Sequence, residues 1–490
     1  MDTSNELIYD LIIVGAGPSG LALAQCCSKI NQNILIIDRE SDIGGCHRVR
    51  RVKYKDEFLF TEHGPRIYSS SYKVFISLLK EMNIDFNTLF TPYNFTISSI
   101  GGETLWTTLS YKELFQLFME FIFLIINDKH GDDITMKEFT HVKKFKETSI
   151  DLIDKLCRLT DGATYEKYTL NEFLQLFNQQ FFHKIYQPKI PNDKGLFKIW
   201  SDYLKKHNVD FLLSYNVEKL NTNNDAIDSV TVSNGNNVFA IKCKKVVMAI
   251  PPLSMIPFID LFKPDNRLKE WAYETAYIDY ISVTFHWDRK ILLPKVYGFP
   301  KTSWGIAFIV LSDYMQFDES TSHTVISAAV TITDKKSPNI HKTADQCDLN
   351  ELISEIYNQL LESFPHLPPP TASMVSPGIY YDNNKWRSID TAYISTLTTT
   401  KDKFLPFKSE LVSNLYNVGT HNGKSRYKFT SLEAAVTNAV ELSYILHPEL
   451  KKIYTITSGY TVRGFIIIII FIIIIYILYK SNTSKVLGIK

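Results

Sequence analysis

The sequence predicts an α/β fold: a parallel-sheet unit, interrupted by an inserted α+β region and followed by an apolar helix at the C-terminal end. Three observations predict it. An apolar strand run, Leu11-Ile-Ile-Val14, enters Gly15-Ala-Gly17-Pro18-Ser19-Gly20 and then a helical stretch, Leu21-Ala-Leu-Ala24. A second apolar run, Ile34-Leu-Ile-Ile37, ends on Asp38. Far downstream, the segment Gly464–Tyr479 contains no charge.

The glycine turn carries a mechanism. Gly15 permits the tight passage from strand to helix. Gly17 lets the backbone approach a pyrophosphate, and Gly20 lets the helix pack close to the strand. The helix N-terminus over Pro18 and Ser19 turns its free N–H groups toward that negative charge. Asp38 follows about twenty residues later, where a carboxylate accepts hydrogen bonds from a ribose 2′-hydroxyl. The same carboxylate repels a 2′-phosphate, which disfavours NADP. An ordinary βαβ unit with a glycine turn explains the glycines but not the acid in its place. The unit is therefore read as a Rossmann-type dinucleotide site.

After Asp38 comes Arg39-Glu-Ser-Asp-Ile-Gly44-Gly45, then Cys46-His47-Arg48. An acid, a short charged linker and a second glycine pair resemble the FAD-dependent superfamily that includes flavin amine oxidases and protoporphyrinogen oxidase. The resemblance implies FAD, with Asp38, Arg39, Gly44, Gly45 and Cys46 beside it. It continues along the chain. Glu62-His63-Gly64-Pro65-Arg66-Ile67 is similar to the turn beside the isoalloxazine, and His63 resembles its counterpart in UDP-galactopyranose mutase. Val217 stands in the adenine-side strand, and Lys245-Val-Val-Met-Ala-Ile-Pro-Pro252 matches the strand closing the second half of the domain. Leu415-Tyr-Asn-Val-Gly419-Thr420, then Thr430-Ser431-Leu432, resembles the last FAD motif. There a helix N-terminus favours negative charge at the flavin. Three positions depart from the pattern. Cys46 stands where the superfamily has Arg, Tyr280 at about the place of a Lys near the flavin N5, and Ser431 where monoamine oxidases carry an aromatic-cage Tyr.

For catalysis the resemblance singles out Arg66 and Trp386. A guanidinium at Arg66 would stabilise an anionic reduced ring or hold a substrate carboxylate; the alternative is a structural salt bridge. Trp386 matches a Trp before the last FAD motif; the alternative is core packing. Tyr427 and Phe429 either line the flavin cavity or pack. No residue stands out as catalytic base. No metal site is expected, since neither His-Glu-x-x-His nor Cys-x-x-Cys occurs, and no Gly-x-Ser-x-Gly elbow supports a hydrolase. Without a second Gly-x-Gly-x-x-Gly, electrons are expected from an organic substrate and leave to oxygen or another acceptor. Two other readings remain: a non-redox flavin enzyme of the sugar-mutase type, and a non-catalytic binding protein stabilised by FAD.

The chain has 490 residues, a net charge of +1 and 45% hydrophobic residues, so a nucleic-acid partner has no electrostatic support. The basic run Arg48-Val-Arg-Arg-Val-Lys53 reads as a solvated face or as positive potential near the pyrophosphate. The FAD domain is expected to be discontinuous, over 7–100, 194–265 and 409–447. A substrate domain is expected over 101–193 and 266–408. In it, Leu114–Ile125 reads as a helix apolar nearly all round, either buried or facing a membrane. A transmembrane tail anchor is expected over 462–480, close to the lower limit of about 17 residues. Arg463 and Lys480 would snorkel there, and Tyr476 and Tyr479 would sit at an interface. That anchor implies a cytosolic catalytic body on the endoplasmic reticulum or the mitochondrial outer membrane. Six cysteines without a paired motif suit a reducing compartment.

Overall fold

A computed structural model describes residues 8–64, 66–95, 104–127, 129–175, 183–263, 266–274, 280–299, 301–390, 405–422, 431–456 and 461–486. Leu11–Val14 is buried throughout and lies at the centre of a five-stranded sheet. Across the sheet the strands run Leu415–Asn417, Val246–Met248, Leu11–Val14, Ile34–Asp38 and Val209–Leu213, every pair parallel. Both faces of such a sheet are covered, which is why its strands are continuous apolar runs. Ile12 stands opposite Val246 on one side and Leu35 on the other.

The helix Pro18–Cys27 follows the glycine turn and is wholly buried. Pro18 occupies its first turn, where a missing N–H costs nothing. It is clamped between the sheet and a late helix, Leu432–Leu446, to which Ser19 Oγ donates at the Ala435 carbonyl, 3.3 Å away. Gly15 has φ +114°, and a Cβ there would run into the Ala249 carbonyl oxygen. A Cβ at Gly20 would run into the Gly15 carbonyl oxygen, so both glycines are fixed by close backbone approach.

On the other face of the parallel sheet lies a three-stranded antiparallel sheet, Asn216–Asn223, Ala226–Ser233 and Val238–Lys242. Val217, Leu220, Val230 and Val232 join Ile12, Ile37 and Met248 in one apolar cluster.

A second five-stranded sheet is antiparallel throughout. Its order is Gly298–Phe299, Ile306–Val310, Thr324–Val330, Ile281–Trp287 and Ala372–Val375. The alternation in Ile281–Trp287 predicts one wet face, yet every residue of it is buried. The helix Leu349–Ser363 covers one side through Leu352, Ile356 and Leu360. The hairpin Val49–Tyr54/Glu57–Glu62 reaches the strand from elsewhere, where His286 Nε2 lies 3.1 Å from the Phe60 carbonyl.

Helices Tyr111–Ile126, Met136–Val142 and Glu147–Asp161 pack around Phe121, Leu124, Phe139, Ile153 and Leu156. The first of these is buried on one side only; Phe115, Phe118 and Phe123 are exposed. The C-terminal helix spans Thr461–Val486. Its uncharged run, Gly464–Tyr479, reaches about 24 Å at 1.5 Å per residue, against a hydrocarbon core of about 30 Å. Among the described residues no helix is long and apolar enough to cross a membrane, so the fold does not establish the crossing expected over 462–480.

Gly15→Ala is expected to lower the unfolding free energy by ~2–4 kcal/mol, because strain at positive φ adds to the clash with Ala249. Gly235 has φ +86° but nothing within 4 Å of an added Cβ. Gly235→Ala should therefore cost only about 1 kcal/mol. Urea midpoints at unchanged slope measure both; equal costs would remove the clash from the account.

Candidate functional site

Asp38 closes the strand Ile34–Asp38 and holds the glycine turn by its carboxylate. Oδ2 accepts from Ala16 N–H at 2.7 Å and Oδ1 from Glu40 N–H at 2.9 Å. Arg48 Nη2 lies 3.5 Å from Oδ1. The second glycine pair docks on the same turn: Gly44 N–H donates to the Ala16 carbonyl at 2.9 Å. A Cβ at Gly45 would come within 3.0 Å of Gly17 Cα, so the two loops touch backbone to backbone. Beside them opens a cavity of about 430 Å³. Gly15, Gly17, Asp38, Arg39, Gly45, Cys46, Arg48, Val217 and Ile250 are among its walls. The structure thus brings the glycine turn, the acid, the second glycine pair and the adenine-side strand together. Pro18 and Ser19 stand behind the wall as buried helix residues.

The basic run Arg48–Lys53 is not a solvated face. Arg48 is buried and pairs with Asp390 at 2.9 Å. Arg50 reaches Asp390 at 3.1 Å and Glu40 at 3.0 Å, while Arg51 pairs with Asp193 and Glu319. Burial alone would raise the Asp390 pKa, but the Arg50 hydrogen bonds and the Arg50 and Arg48 charges hold it below the ordinary carboxylate value. No local pattern marks Asp390, which arrives from 342 residues beyond Arg48.

A second group of polar side chains sits at the Glu62–Ile67 turn. Arg66 Nη2 donates to the Cys46 carbonyl, and Nε is buried with no hydrogen-bond partner. Among the described residues Arg66 makes no ion pair. His63 is buried, its ring 6.1 Å from that of Tyr280 and nearly parallel to it, with neither nitrogen bonded. Burial, then the Arg66 charge, pushes its pKa down to about 3, so the imidazole is neutral. Glu62 Oε1 is also without a partner; burial raises this carboxyl to about 7 against the pull of Arg66. Burial likewise raises the Cys46 thiol, only partly offset by Arg66, so Cys46 is a thiol rather than a reactive thiolate.

Tyr280 has a clear structural reason to be there. Its ring is wedged 3.1 Å from a Cβ built at Gly64 and 3.1 Å from one at Gly162. Its hydroxyl donates to the Leu159 carbonyl at 3.1 Å. Ser431 is equally local in its role: it is the N-cap of Leu432–Leu446, accepting from Ala434 N–H at 3.2 Å. Gly419 is fixed by Asn422 Oδ1 on its N–H and Asn438 Nδ2 on its carbonyl, both at 2.7 Å. Thr420 opens the short turn Thr420–Asn422, and Leu432 is buried at the helix start. Glu433 accepts from Val74 and Phe75 N–H at 2.8 and 3.0 Å, which ties this helix to the N-terminus of Lys73–Glu81.

Trp386 is placed elsewhere. It lies on the hairpin Ile379–Asp382/Lys385–Ser388, its indole donates to the Cys347 carbonyl at 3.3 Å, and it packs edge-on against Tyr381. It does not line the cavity beside the glycine turn. Pro65, Tyr427 and Phe429 lie outside the described residues.

The Glu62 environment sets a pH dependence. A folded-state pKa raised from 4.5 to about 7 gives a contribution that is full below about pH 4.5 and lost as pH rises through about 7. Glu62→Gln, neutral at every pH, should keep up to ~3 kcal/mol that the parent loses by pH 8. Urea unfolding of both proteins at pH 5 and pH 8 checks this, and parallel losses would show Glu62 ionised in both states.

Comparison with known proteins agrees with this geometry. Residues 13–82 match the family model for an NAD(P)-binding Rossmann-like domain. A segment of 79 residues is 37% identical to UDP-galactopyranose mutase of Mycoplasma genitalium, covering 15% of this chain and 19% of that protein. The match thus spans about a fifth of that curated relative. Over nearly the whole fold, the chain is similar to putrescine oxidase solved with putrescine bound. There the TM-score is 0.62 and identity 16%, over 90% of this chain and 99% of that one. Cyclohexylamine oxidase from Brevibacterium oxydans gives 0.57 and 13%, over 91% and 100%. The chain thus carries a Rossmann-like segment over residues 13–82, within a fold shared with these oxidase structures.

Proposed function

We propose that the protein is an FAD-dependent oxidoreductase of the amine-oxidase type, acting on a small organic substrate. The observation that carries this reading is the pairing of two features. A glycine-walled cavity with an acid at its rim lies beside Cys46. Near it, joined through the bond from Arg66 to the Cys46 carbonyl, lie the buried Glu62 and His63 and the half-buried Arg66, each with an unpartnered buried atom. The first suits an ADP moiety. The second suits a flat ring whose edge alternates donors and acceptors.

Bound FAD supplies hydride acceptance and passes the electrons to oxygen or another acceptor. The protein's own groups bind and orient. Gly17 and Gly45 leave room for a pyrophosphate, and the N-terminus of Pro18–Cys27 faces its charge. Asp38 already accepts two backbone N–H groups, and its remaining lone pairs would be left for a ribose hydroxyl. Arg66 balances negative charge at the turn, and neutral His63 offers one donor and one acceptor. The N-terminus of Leu432–Leu446 adds a favourable dipole. The segments 101–193 and 266–408 are read as the substrate domain.

The matched mutase segment and His63 favour one second reading, a non-redox flavin enzyme acting on a nucleotide sugar. An anaerobic titration separates the two. Bleaching of the yellow protein by a panel including putrescine and cyclohexylamine supports the oxidase. Bleaching by dithionite alone favours the mutase-type enzyme, and absence of turnover on either favours a binding protein.

We also propose that the helix Thr461–Val486 attaches the protein to a membrane. In the sequence, the long-chained Arg463 and Lys480 bracket its uncharged run, and Val462 adds one apolar residue beyond Arg463, toward the spanning limit. The six free cysteines suit a cytosolic body.

A Cβ at Gly17 would meet only Gly45 Cα, at 3.6 Å, so the protein has room for it. Gly17→Ala should therefore fold with the parental Tm yet bind FAD at least about tenfold more weakly, a loss of about 1.4 kcal/mol. Absorbance per protein and a thermal melt read the two halves. Stoichiometric flavin in the variant would remove the pyrophosphate from this turn.

A further inference from the structure

The helix Tyr111–Ile126 is firmly started. Glu113 accepts from the Ser110 backbone N–H at 2.7 Å, and Ser110 Oγ accepts from Glu113 N–H at 3.4 Å, a capping box. Leu117, Phe121, Leu124 and Ile125 fill the core of the helical insertion. The opposite side is apolar and open. Tyr111 is 93% exposed, Phe115 63%, Phe118 44% and Ile126 60%. These positions share one helical face. Phe123 extends the stripe at 44%. Exposed Lys112 and Lys129 flank it. A contiguous apolar face of this kind marks a docking surface rather than ordinary surface.

The helix Thr461–Val486 runs alongside. The rings of Phe118 and Phe471 meet edge-on with centroids 6.0 Å apart, and Ile468 packs on the insertion core. A Cβ at Gly464 would come 2.7 Å from Ile125 Cγ2, so glycine permits the close approach. Every residue from Ile469 to Tyr479 is 47–68% exposed, although only Tyr476 and Tyr479 among them carry a polar atom in the side chain. A protein partner covers one face of a helix. A helix apolar all round is covered on every side, by a protein interior or by hydrocarbon, and the described residues cover only one side of this one.

We propose that the outer face of Tyr111–Ile126 and the tail helix form one continuous lipid-contacting surface, docked in a phospholipid bilayer. The proposal rests on the membrane reading of the tail and adds a second contact that fixes how the body sits. Aromatic side chains suit the boundary between headgroups and acyl chains, and the flanking lysines suit anionic headgroups.

The test uses the full chain in vesicles of phosphatidylcholine and phosphatidylserine. Phe115→Cys, a change at an exposed position, is labelled with an environment-sensitive fluorophore. The same label on Val238→Cys, exposed on the three-stranded sheet, is the control, and the parent protein gives the background from native thiols. The expected result is blue-shifted emission at 115 that brominated phospholipid quenches, with the label at 238 unmoved. A protein that floats with the vesicles while 115 stays unquenched overturns the proposal and leaves the tail reading intact. Failure to float overturns both. A blue shift that grows with protein concentration and resists brominated lipid overturns it in favour of a second copy of the chain on this face.

Discussion

The Asp38 carboxylate is the constraint on which the site depends. It ends one strand, grips the turn after another through Ala16 N–H, and turns its own chain through Glu40 N–H. Charged acceptors make the stronger hydrogen bonds, and these are partly sheltered from water. The turn they hold lets Gly44 and Gly45 settle against Ala16 and Gly17 with no side chain between them. Remove that contact and neither loop has a reason to lie where it does. The acid expected to face a ribose is thus first a structural clasp, and its ligand role uses what the clasp leaves over.

Around the clasp the chain buries charge. Arg48 and Asp390 lie in the interior, and Arg50 and Glu40 extend the chain of pairs toward the surface. Such networks hold position more than they add stability, because desolvation cancels much of the attraction. At the Glu62–Ile67 turn the pattern reverses. Glu62 Oε1, both His63 nitrogens and Arg66 Nε are buried there without hydrogen-bond partners, gathered in one turn. That local clustering, rather than any single residue, marks the turn as a candidate site.

Much of this was legible in the sequence. The glycine turn, the two strands beside it, the second glycine pair and the late strand and helix announce themselves by local spacing, and the parallel sheet is assembled from those pieces. The partners were not legible. Asp390 and Glu433 act across 342 and 359 residues, and no local pattern records such pairs. Tyr280 and Ser431 looked like catalytic departures because only the superfamily pattern was visible. Packing shows why they suit their places, one filling the gap between two glycines and the other capping a helix. Trp386 matched by position alone, and its indole serves a hairpin. The basic run at Arg48 looked solvated because its acids come from elsewhere in the chain.

The bond from Ser19 to Ala435 joins segments 416 residues apart. The first helix leaves the ribosome long before the helix that covers it. Loop closure of that length is entropically slow, and contact order of this kind delays folding. Until that second helix has emerged, the first lacks its cover and its apolar flank stays open to chaperones. Folding of this unit is therefore completed late, and a chain cut before the second helix would leave that apolar flank exposed and aggregation-prone.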